Sequence, residues 1–263
     1  MSDYPQGYEP YLFLLNACKE TRAEVVHAPI ETEEGTLPGF VCNGRQVVYL
    51  LDNRMPANQW QNPAAKKVQE EDGVLVCCAQ YVDAIQQEFQ WIPLGVTPAY
   101  ISPQGKRKPK PAYDFAFVGY LNDLPRQSVI ERMQGMFLHN VQSQIFGDDA
   151  IAVYRSAKVG LNITAFFGSP YAYDANMRMF EIPATGVPLL TPYVPGMIEL
   201  GFRHGINCMK FEDAIELKAH IETLCANSQL RAEIGKAGHK LVMEKHLYKH
   251  RAQQLIEVID GGT

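Results

Sequence analysis

The sequence predicts an α/β protein whose C-terminal part folds around a doubly wound parallel sheet. From residue 113 onward, short apolar segments alternate with helical segments at intervals of roughly 10–15 residues, and several of the apolar segments end at a glycine or a polar residue. Strands that alternate with helices are joined by helical crossovers, which makes the sheet parallel. Ligands of such sheets bind beyond the carboxyl ends of the strands. We therefore expect the functional residues at that edge.

The C-terminal elements follow from their apolar patterns. Five strands are predicted, at 113–119 (YDFAFVG), 143–147 (SQIFG), 158–163 (KVGLNI), 187–191 (VPLLT) and 206–211 (INCMKF). Helices are predicted over 126–138, 149–157, 176–186 and 195–201, and over most of 213–259. The first of these helices has apolar residues at Val129, Ile130, Met133 and Phe137, a helical spacing. Asp148 or Asp149 is expected to cap the second helix.

The N-terminal part resembles a smaller, trimmed α/β domain. Strands are predicted at 47–52, 74–79 and 89–95, with helices near 62–71 and 80–88 and a further strand at 10–16. The segment 102–113 is rich in Pro and Gly and carries the cations Lys106, Arg107, Lys108 and Lys110. We interpret it as an interdomain linker; the alternative is a patch that contacts phosphate or DNA.

The composition is that of an ordinary globular protein. Hydrophobic residues make up 46% of the chain and charged residues 20%, and the net charge of −5 gives no general attraction to polyanions. The polar start MSDYPQGYEP does not resemble a signal peptide, and no long apolar run predicts a membrane span. We expect a cytoplasmic protein.

The cysteines and the paired histidines do not predict a metal site. The six cysteines, at 18, 42, 77, 78, 208 and 225, form no CxxC motif and are interpreted as buried free thiols. His246 and His250 have an i,i+4 spacing that suits a metal. No third ligand accompanies them, so a structural role in the last helix is the preferred interpretation.

The segment NMRMFEIPATGVPLLTP (176–192) carries the main functional hypothesis. Arg178 and Glu181 are three residues apart at the start of a short apolar helix, so their side chains share one face. Pro183 should kink or shorten this helix, and Gly186 should end it. A guanidinium suits a phosphate, and a carboxylate can accept hydrogen bonds from a ribose diol. A simple i,i+3 ion pair remains the alternative.

Polar residues at other strand ends favour a binding site. Gly119 ends the first C-terminal strand, Arg126 begins the helix after it, and Asn162 lies at the end of the third strand. The carboxyl ends of these strands meet at one edge of a parallel sheet. Three strand ends therefore offer polar groups to a single crevice.

The order of these motifs resembles a known family. The segments YDFAFVGYLNDLPR, YRSAKVGLNI, NMRMFEIPATGVPLLTPYVPGMIELGF and KAGHKLVMEKHLYKHRAQQLI are similar to the spore-protein CgeB-type glycosyltransferases, relatives of the family-4 enzymes with a GT-B fold. The resemblance spans about residues 74–256 and implies that Arg178 and Glu181 contact the diphosphate and ribose of a nucleotide sugar. Gly119, Tyr120 and Arg126 would lie beside the phosphates, and Asn162 and Asn176 would complete the donor site.

The resemblance also implies a domain plan. Residues 1–101 would form a reduced Rossmann-like acceptor domain, residues 102–113 a linker, residues 114–248 the nucleotide-sugar-binding domain, and residues 249–263 a helix that packs back across the domains.

The resemblance also points to candidate catalytic groups. Family-4 enzymes carry a second Glu upstream, and Tyr173 stands in its place here, so Asp174 is the substitute candidate, with a helix N-cap as its alternative role. Asp52, at the end of the strand 47–52, is the candidate from the first domain, and His27 is another. Retaining chemistry would need no strong base. The sequence has no DxD triplet, so we expect neither a bound metal nor a cofactor beyond the donor substrate.

The expected function is metal-independent transfer of a sugar from a nucleoside-diphosphate sugar to a hydroxyl acceptor, with retention of configuration. Three alternatives stay open: an epimerase or hydrolase of sugar nucleotides, a non-catalytic nucleotide-sugar-binding protein, and a phage-type glycosyltransferase that acts on modified DNA bases. The acceptor is a protein, a saccharide, a small molecule or such a base.

Overall fold

A computed structural model describes residues 10–32, 35–37, 39–50, 68, 70–77, 89–97, 110–121, 124–164 and 175–261. The chain divides into two compact units. Unit 1 contains Met1–Gly95, Tyr173–Ala175 and Leu247–Thr263, and unit 2 contains Val96–Ala172 and Asn176–His246. No helix in the described ranges is long and apolar enough to cross a membrane.

Unit 2 is built on a five-stranded parallel sheet. Its strands are β8 (Tyr113–Val118), β9 (His139–Gln142), β10 (Ala157–Leu161), β11 (Leu189–Pro192) and β12 (Met209–Phe211). Its helices are α2 (Leu124–Gln134), α3 (Gly147–Arg155), α4 (Arg178–Ala184), α5 (Ala214–Ala226) and α6 (Ser228–Lys245). The strand order is β12-β11-β10-β8-β9, and every neighbouring pair is parallel. All five strands thus end at the same edge, as the alternating sequence pattern predicts.

The second strand of unit 2 lies earlier than the sequence predicts. The chain forms β9 at His139–Gln142, whereas residues 143–146 are irregular and Gly147 already begins α3. Gln144 and Gly147 have φ of 57° and 56°, and these turn conformations end the extended segment. Asp148 and Asp149 lie within the first turn of α3 rather than at its N-cap, which is Phe146. The predicted strand at 143–147 and the predicted cap are therefore wrong.

The predicted helix at 195–201 is also wrong, because these residues form a series of turns. The prediction that most of 213–259 is helical is confirmed, but this stretch consists of separate helices. Asn227 divides α5 from α6 and accepts a hydrogen bond from the Leu230 backbone N–H at 3.0 Å, which caps α6. A second break at His246 and Leu247 separates α6 from α7 (Tyr248–Ile259).

Helix α4 is held between a strand and a helix by close glycine contacts. A Cβ added to Gly160 of β10 would lie 2.6 Å from Ile182 Cγ2, and one added to Gly235 of α6 would lie 2.6 Å from the Gly186 carbonyl oxygen. Gly186 ends the helix with φ of 75°, as the sequence predicts. With Pro183 inside it, α4 has only seven residues. The two glycines let neighbouring backbones approach α4 closely and so define its position on the sheet.

Unit 1 contains a mixed sheet, whose strand directions the sequence did not specify. Its strands are β1 (Val25–His27), β4 (Gly39–Cys42), β5 (Arg45–Leu50), β6 (Val74–Cys77) and β7 (Gln90–Trp91), in that order, and β2 (Ile30–Thr32) pairs with β3 (Gly35–Leu37) separately. The β1-β4 and β4-β5 pairs are antiparallel, and the β5-β6 and β6-β7 pairs are parallel. Strands at 47–52, 74–79 and 89–95 are thus confirmed in shorter or shifted form.

The β4-β5 hairpin turns at Asn43 and Gly44, whose φ values are 47° and 79°. Two consecutive residues with positive φ are typical of the tight turn that Asn-Gly favours in hairpins. This sequence signal was available for predicting the antiparallel pair.

The predicted strand at 10–16 is instead the helix α1 (Pro10–Lys19). Its buried residues Pro10, Leu14 and Cys18 recur four positions apart, and Ala17 lies three after Leu14, which is the pattern of a helix face. Within unit 1, α1 packs against α7, where the rings of Phe13 and Tyr248 lie 5.3 Å apart.

Several predicted features lie wholly or partly outside the described residues. The predicted helix at 80–88 and residues 102–109 of the predicted linker are among them, so of the four linker cations only Lys110, which is exposed, is described. Of the described cysteines, Cys18, Cys42, Cys77 and Cys208 are buried and Cys225 is partly buried, and all five are free thiols, as predicted.

Candidate functional site

Arg178 is the centre of the polar site at the carboxyl edge of the unit 2 sheet. It is the first residue of α4, and its guanidinium contacts the ends of two neighbouring strands. Nε donates to Asn162 Oδ1 at 3.1 Å, Nη1 to the Val118 carbonyl at 3.3 Å, and Nη2 to the Ile163 carbonyl at 3.2 Å. These three bonds join the carboxyl ends of β8 and β10 through one side chain.

Two residues of the β8 end accommodate the guanidinium. Its Cζ lies 5.3 Å from the centre of the Phe117 ring, within the range of a cation–π contact. A Cβ on Gly119 would lie 2.8 Å from Arg178 Nη1 and 2.9 Å from Phe117 Cζ. Glycine is therefore the residue that leaves room for the arginine at this position.

Asn162 and Asn176 orient Arg178 from two sides. The Nδ2 of Asn162 donates to Thr191 Oγ1 at 3.0 Å, which directs its Oδ1 toward Arg178. The Thr191 hydroxyl in turn donates to the Pro192 carbonyl at 3.0 Å. Asn176 Oδ1 accepts the Arg178 backbone N–H at 3.1 Å. The structure thus brings together four of the sequence candidates, Gly119, Asn162, Asn176 and Arg178.

Phe117 and Thr191 are members of this cluster that the sequence interpretation missed. Their contribution depends on β10 lying between β8 and β11 in the sheet. No local motif signals that order.

Arg178 and Glu181 do not form the ion pair that was the alternative interpretation. No described carboxylate lies within ion-pair distance of Arg178, and the described acceptors of its guanidinium are neutral oxygens. Glu181 is only 7% exposed, on the same short helix. Lys158, by contrast, forms an ion pair: its Nζ lies 2.7 Å from Asp114 Oδ1. The positive charge of Arg178 is therefore oriented without being neutralised by the described part of the chain.

Arg126 and Tyr120 organise the loop that follows β8. Arg126 Nη1 donates to the Tyr120 carbonyl at 2.8 Å, and only 6% of Arg126 is exposed. Arg126 therefore serves at least partly to hold the loop that begins at Gly119. Tyr120 contributes its carbonyl to this bond.

Comparison with known proteins identifies the family. The family model described as glycosyl transferase-like matches residues 103–257, which is more than half of the chain and includes all of the cluster around Arg178. The chain belongs to this glycosyl transferase-like family. No curated protein matches the chain in sequence.

Solved glycosyltransferase structures share the fold of this enzyme. HepE from Anabaena, solved in complex with UDP and glucose, is 13% identical with a TM-score of 0.56, and the match covers 82% of this chain and 71% of HepE. Sucrose-phosphate synthase from Thermosynechococcus elongatus is 13% identical with a TM-score of 0.54, covering 81% of this chain and 67% of that protein. The fold is confirmed as GT-B, and the chain is a glycosyltransferase.

The two catalytic candidates of the glycosyltransferase, Asp52 and Asp174, lie outside the described residues, as does Tyr173. His27, the other candidate base, is exposed on β1, and its ring stacks 6.0 Å from that of Tyr11.

The histidine pair of the glycosyltransferase has structural contacts. His246 Nε2 lies 2.8 Å from the Leu200 carbonyl, and its ring stacks on Phe202 at 5.7 Å. His250 Nδ1 accepts the Leu247 backbone N–H at 3.1 Å, and burial lowers the pKa of His250, assisted by Lys249 and Arg251. The two residues lie on either side of a helix break, so the single-helix spacing assumed for a metal pair is wrong.

Proposed function

We propose that this glycosyltransferase transfers a sugar from a nucleoside-diphosphate sugar to a hydroxyl acceptor, and that Arg178 binds the diphosphate. The observation that carries the proposal is the fixed guanidinium at the carboxyl ends of β8 and β10, whose charge no described carboxylate neutralises. An arginine in this state favours an anion, and the edge where it lies is where α/β sheets bind their ligands.

The guanidinium retains hydrogen-bonding capacity for such a ligand. Of its five N–H groups, the described contacts use one on Nε and one on each terminal nitrogen. One N–H on Nη1 and one on Nη2 have no acceptor among the described residues. Two donors on neighbouring nitrogens suit two oxygens of a phosphate, the geometry in which arginine binds phosphate best.

Glu181 is proposed to bind the ribose. It lies one helical turn beyond Arg178 and is nearly buried, where a carboxylate binds hydroxyl groups more strongly than in water. Uridine diphosphate is the proposed carrier of the sugar, supported by HepE, which has been solved with UDP and with UDP-glucose. The order of motifs supports placing the enzyme in the CgeB-type branch.

The proposed reaction retains configuration and uses no bound metal. The bond between the sugar C1 and the diphosphate oxygen breaks, and the acceptor oxygen forms the new bond to C1 on the same face. The acceptor proton passes to the departing phosphate oxygen. Negative charge develops on the diphosphate during this step, and Arg178 is positioned to stabilise it. The absence of a DxD triplet from the sequence supports a role for this cation in place of a metal.

Binding measurements test the donor site. Calorimetric titration of the parent with UDP-, GDP-, ADP- and TDP-sugars identifies the carrier. Arg178→Ala should then raise the Kd of that donor about 100-fold, because a charged and oriented contact is lost. Arg132→Ala removes an exposed cation of the same unit and should leave the Kd unchanged. Equal donor affinity in Arg178→Ala and the parent would show that the diphosphate binds elsewhere.

The stereochemical part has a separate test. Proton NMR of the product formed from an α-linked donor should show an α-linkage, and turnover should continue in excess EDTA. A β-linked product would rule out retention, and loss of turnover with EDTA would rule out metal independence.

A further inference from the structure

Thr164 has a buried hydroxyl that no described residue uses. The residue is only 3% exposed, and its Oγ1 has no hydrogen-bond partner among the described residues. Other buried threonines of unit 2 are satisfied: Thr185 Oγ1 donates to the Ile182 carbonyl at 2.6 Å, and Thr191 Oγ1 bonds both Asn162 and Pro192. Because burying a hydroxyl without a partner costs free energy, such a group requires an explanation.

The position of Thr164 places it at the candidate site. It follows Ile163, whose carbonyl accepts a hydrogen bond from Arg178 Nη2 at 3.2 Å. Two residues earlier, Asn162 bonds the same guanidinium, and two residues before that, Gly160 faces Ile182 of α4. Gly160 and Asn162 therefore both face α4, and Thr164 follows Asn162 at the same spacing of two residues.

We propose that the Thr164 hydroxyl donates a hydrogen bond to the diphosphate of the donor, beside Arg178. This inference rests on the proposed function, because it assigns one more ligand to the same anion. A hydroxyl donor complements the guanidinium, since its rotation can adapt to a phosphate oxygen while the arginine is held on three sides. Ligand binding then supplies the partner that the described residues do not.

Isosteric substitution tests this inference. Thr164→Val keeps the shape of the side chain and removes the hydroxyl, so the Kd for UDP should rise about 5–10-fold while Tm stays unchanged or increases. Thr164→Ser retains a hydroxyl and should bind UDP within about twofold of the parent. UDP-glucose should lose affinity in Thr164→Val by the same factor as UDP, since both carry the diphosphate.

Thr185→Val is the matched control. It removes a buried hydroxyl that already has a partner, so Tm should fall while the Kd for UDP remains that of the parent. The two valine variants should thus show opposite effects on stability and on binding.

The outcomes separate the two proposals. If Arg178→Ala loses UDP but Thr164→Val binds it like the parent, the role of Thr164 is refuted and the donor site stands. A loss confined to UDP-glucose would refute the contact to the diphosphate. A lower Tm for Thr164→Val would show that the hydroxyl has a structural partner, which contradicts the inference. A parent that binds none of UDP, GDP, ADP or TDP would overturn the proposed function together with this inference.

Discussion

The sheets of the two units differ in how their strands end. In unit 2 all five strands are parallel, so β8 and β10 end at the same edge. Val118 at the end of β8, and Asn162 and Ile163 directly after β10, therefore contact one guanidinium. In unit 1 the strands β1, β4 and β5 alternate in direction, so their carboxyl ends fall on opposite edges. Convergence of polar groups thus follows from strand direction, and only the parallel sheet provides it for all of its strands.

The two sheets also use glycine differently. The glycines around α4 remove side-chain volume where backbones meet, as at Gly235, whose added Cβ would lie 2.6 Å from the Gly186 oxygen. Gly44 in the unit 1 hairpin has no atom within 4 Å of an added Cβ, but its φ is 79°. Close packing explains why glycine is needed at Gly235, and backbone conformation explains why it is needed at Gly44.

Of the changes that compare the two units, Gly235→Ala is expected to have the largest effect on stability. In an ordinary helix interior this substitution stabilises by about 1 kcal/mol. Here the Cβ would overlap a backbone oxygen that cannot rotate away, and we expect the free energy of unfolding to fall by about 2 kcal/mol through overpacking. Urea denaturation measures the change. Gly135→Ala, where the nearest atom is 3.6 Å away, is the control and should be nearly neutral. Stabilisation by Gly235→Ala would show that α4 is not closely held.

Asn162→Ala should weaken donor binding about 10-fold without abolishing it. The side chain directs Nε of Arg178 and is itself held by Thr191, so its loss leaves the charge in place but less well oriented. Titration with the donor measures the Kd. Asn140→Ala is a suitable comparison, because Asn140 lies in the edge strand β9 and its Nδ2 bonds Ser156 Oγ. The orienting role would be excluded if both variants bound the donor equally.

Gly44→Ala should destabilise by about 1 kcal/mol, because a side chain is disfavoured in the left-handed region. Gly44→Asn should cost less, since asparagine tolerates that conformation better. Thermal unfolding of the two variants gives the order. Equal losses in the two variants would contradict backbone strain as the cause.

The smallest effects concern two ion pairs. Burial tends to raise the pKa of Asp114, but the hydrogen bonds from Lys158, the Leu138 backbone and Cys225 outweigh it and hold the pKa below its ordinary value. The resulting stability is present above the unfolded pKa of about 4 and is lost as pH falls through the lower folded value. Asp114→Asn should therefore reduce stability at pH 7 and flatten its decline below about pH 4.

The unit 1 comparison is Arg45 with Asp72, whose carboxylate side chain is 92% exposed. Asp72→Asn should change the free energy of unfolding by less than about 0.5 kcal/mol, because exposed pairs are well screened. Acid titration followed by circular dichroism distinguishes the two variants. Parallel pH profiles for Asp114→Asn and the parent would show that the Lys158 pair does not contribute.

The parallel sheet of unit 2 could be predicted from the sequence, because local apolar patterns show that strands and helices alternate along the chain. It failed at residues 10–16, where an apolar run without clear alternation suits either a strand or a buried helix. Antiparallel pairing in unit 1 was missed, although Asn43-Gly44 is a recognisable turn signal. Arg178 and Asn162 could be predicted as site residues, because both are polar residues at strand or helix ends.

The sequence does not identify three other residues of the site, Thr191, Phe117 and Thr164. Thr191 reaches the cluster only because β10 and β11 are neighbours, with Leu161 opposite Leu190. An unused hydroxyl such as that of Thr164 is visible only when burial and hydrogen bonding are both known.

The three bonds that hold Arg178 also bear on the entropy of binding. A free arginine side chain has about 2 kcal/mol of rotamer entropy to lose. Asn162, Val118 and Ile163 already restrict this one when the chain folds. An arriving anion then has no further side-chain disorder to remove at this contact, so more of the attraction appears as affinity.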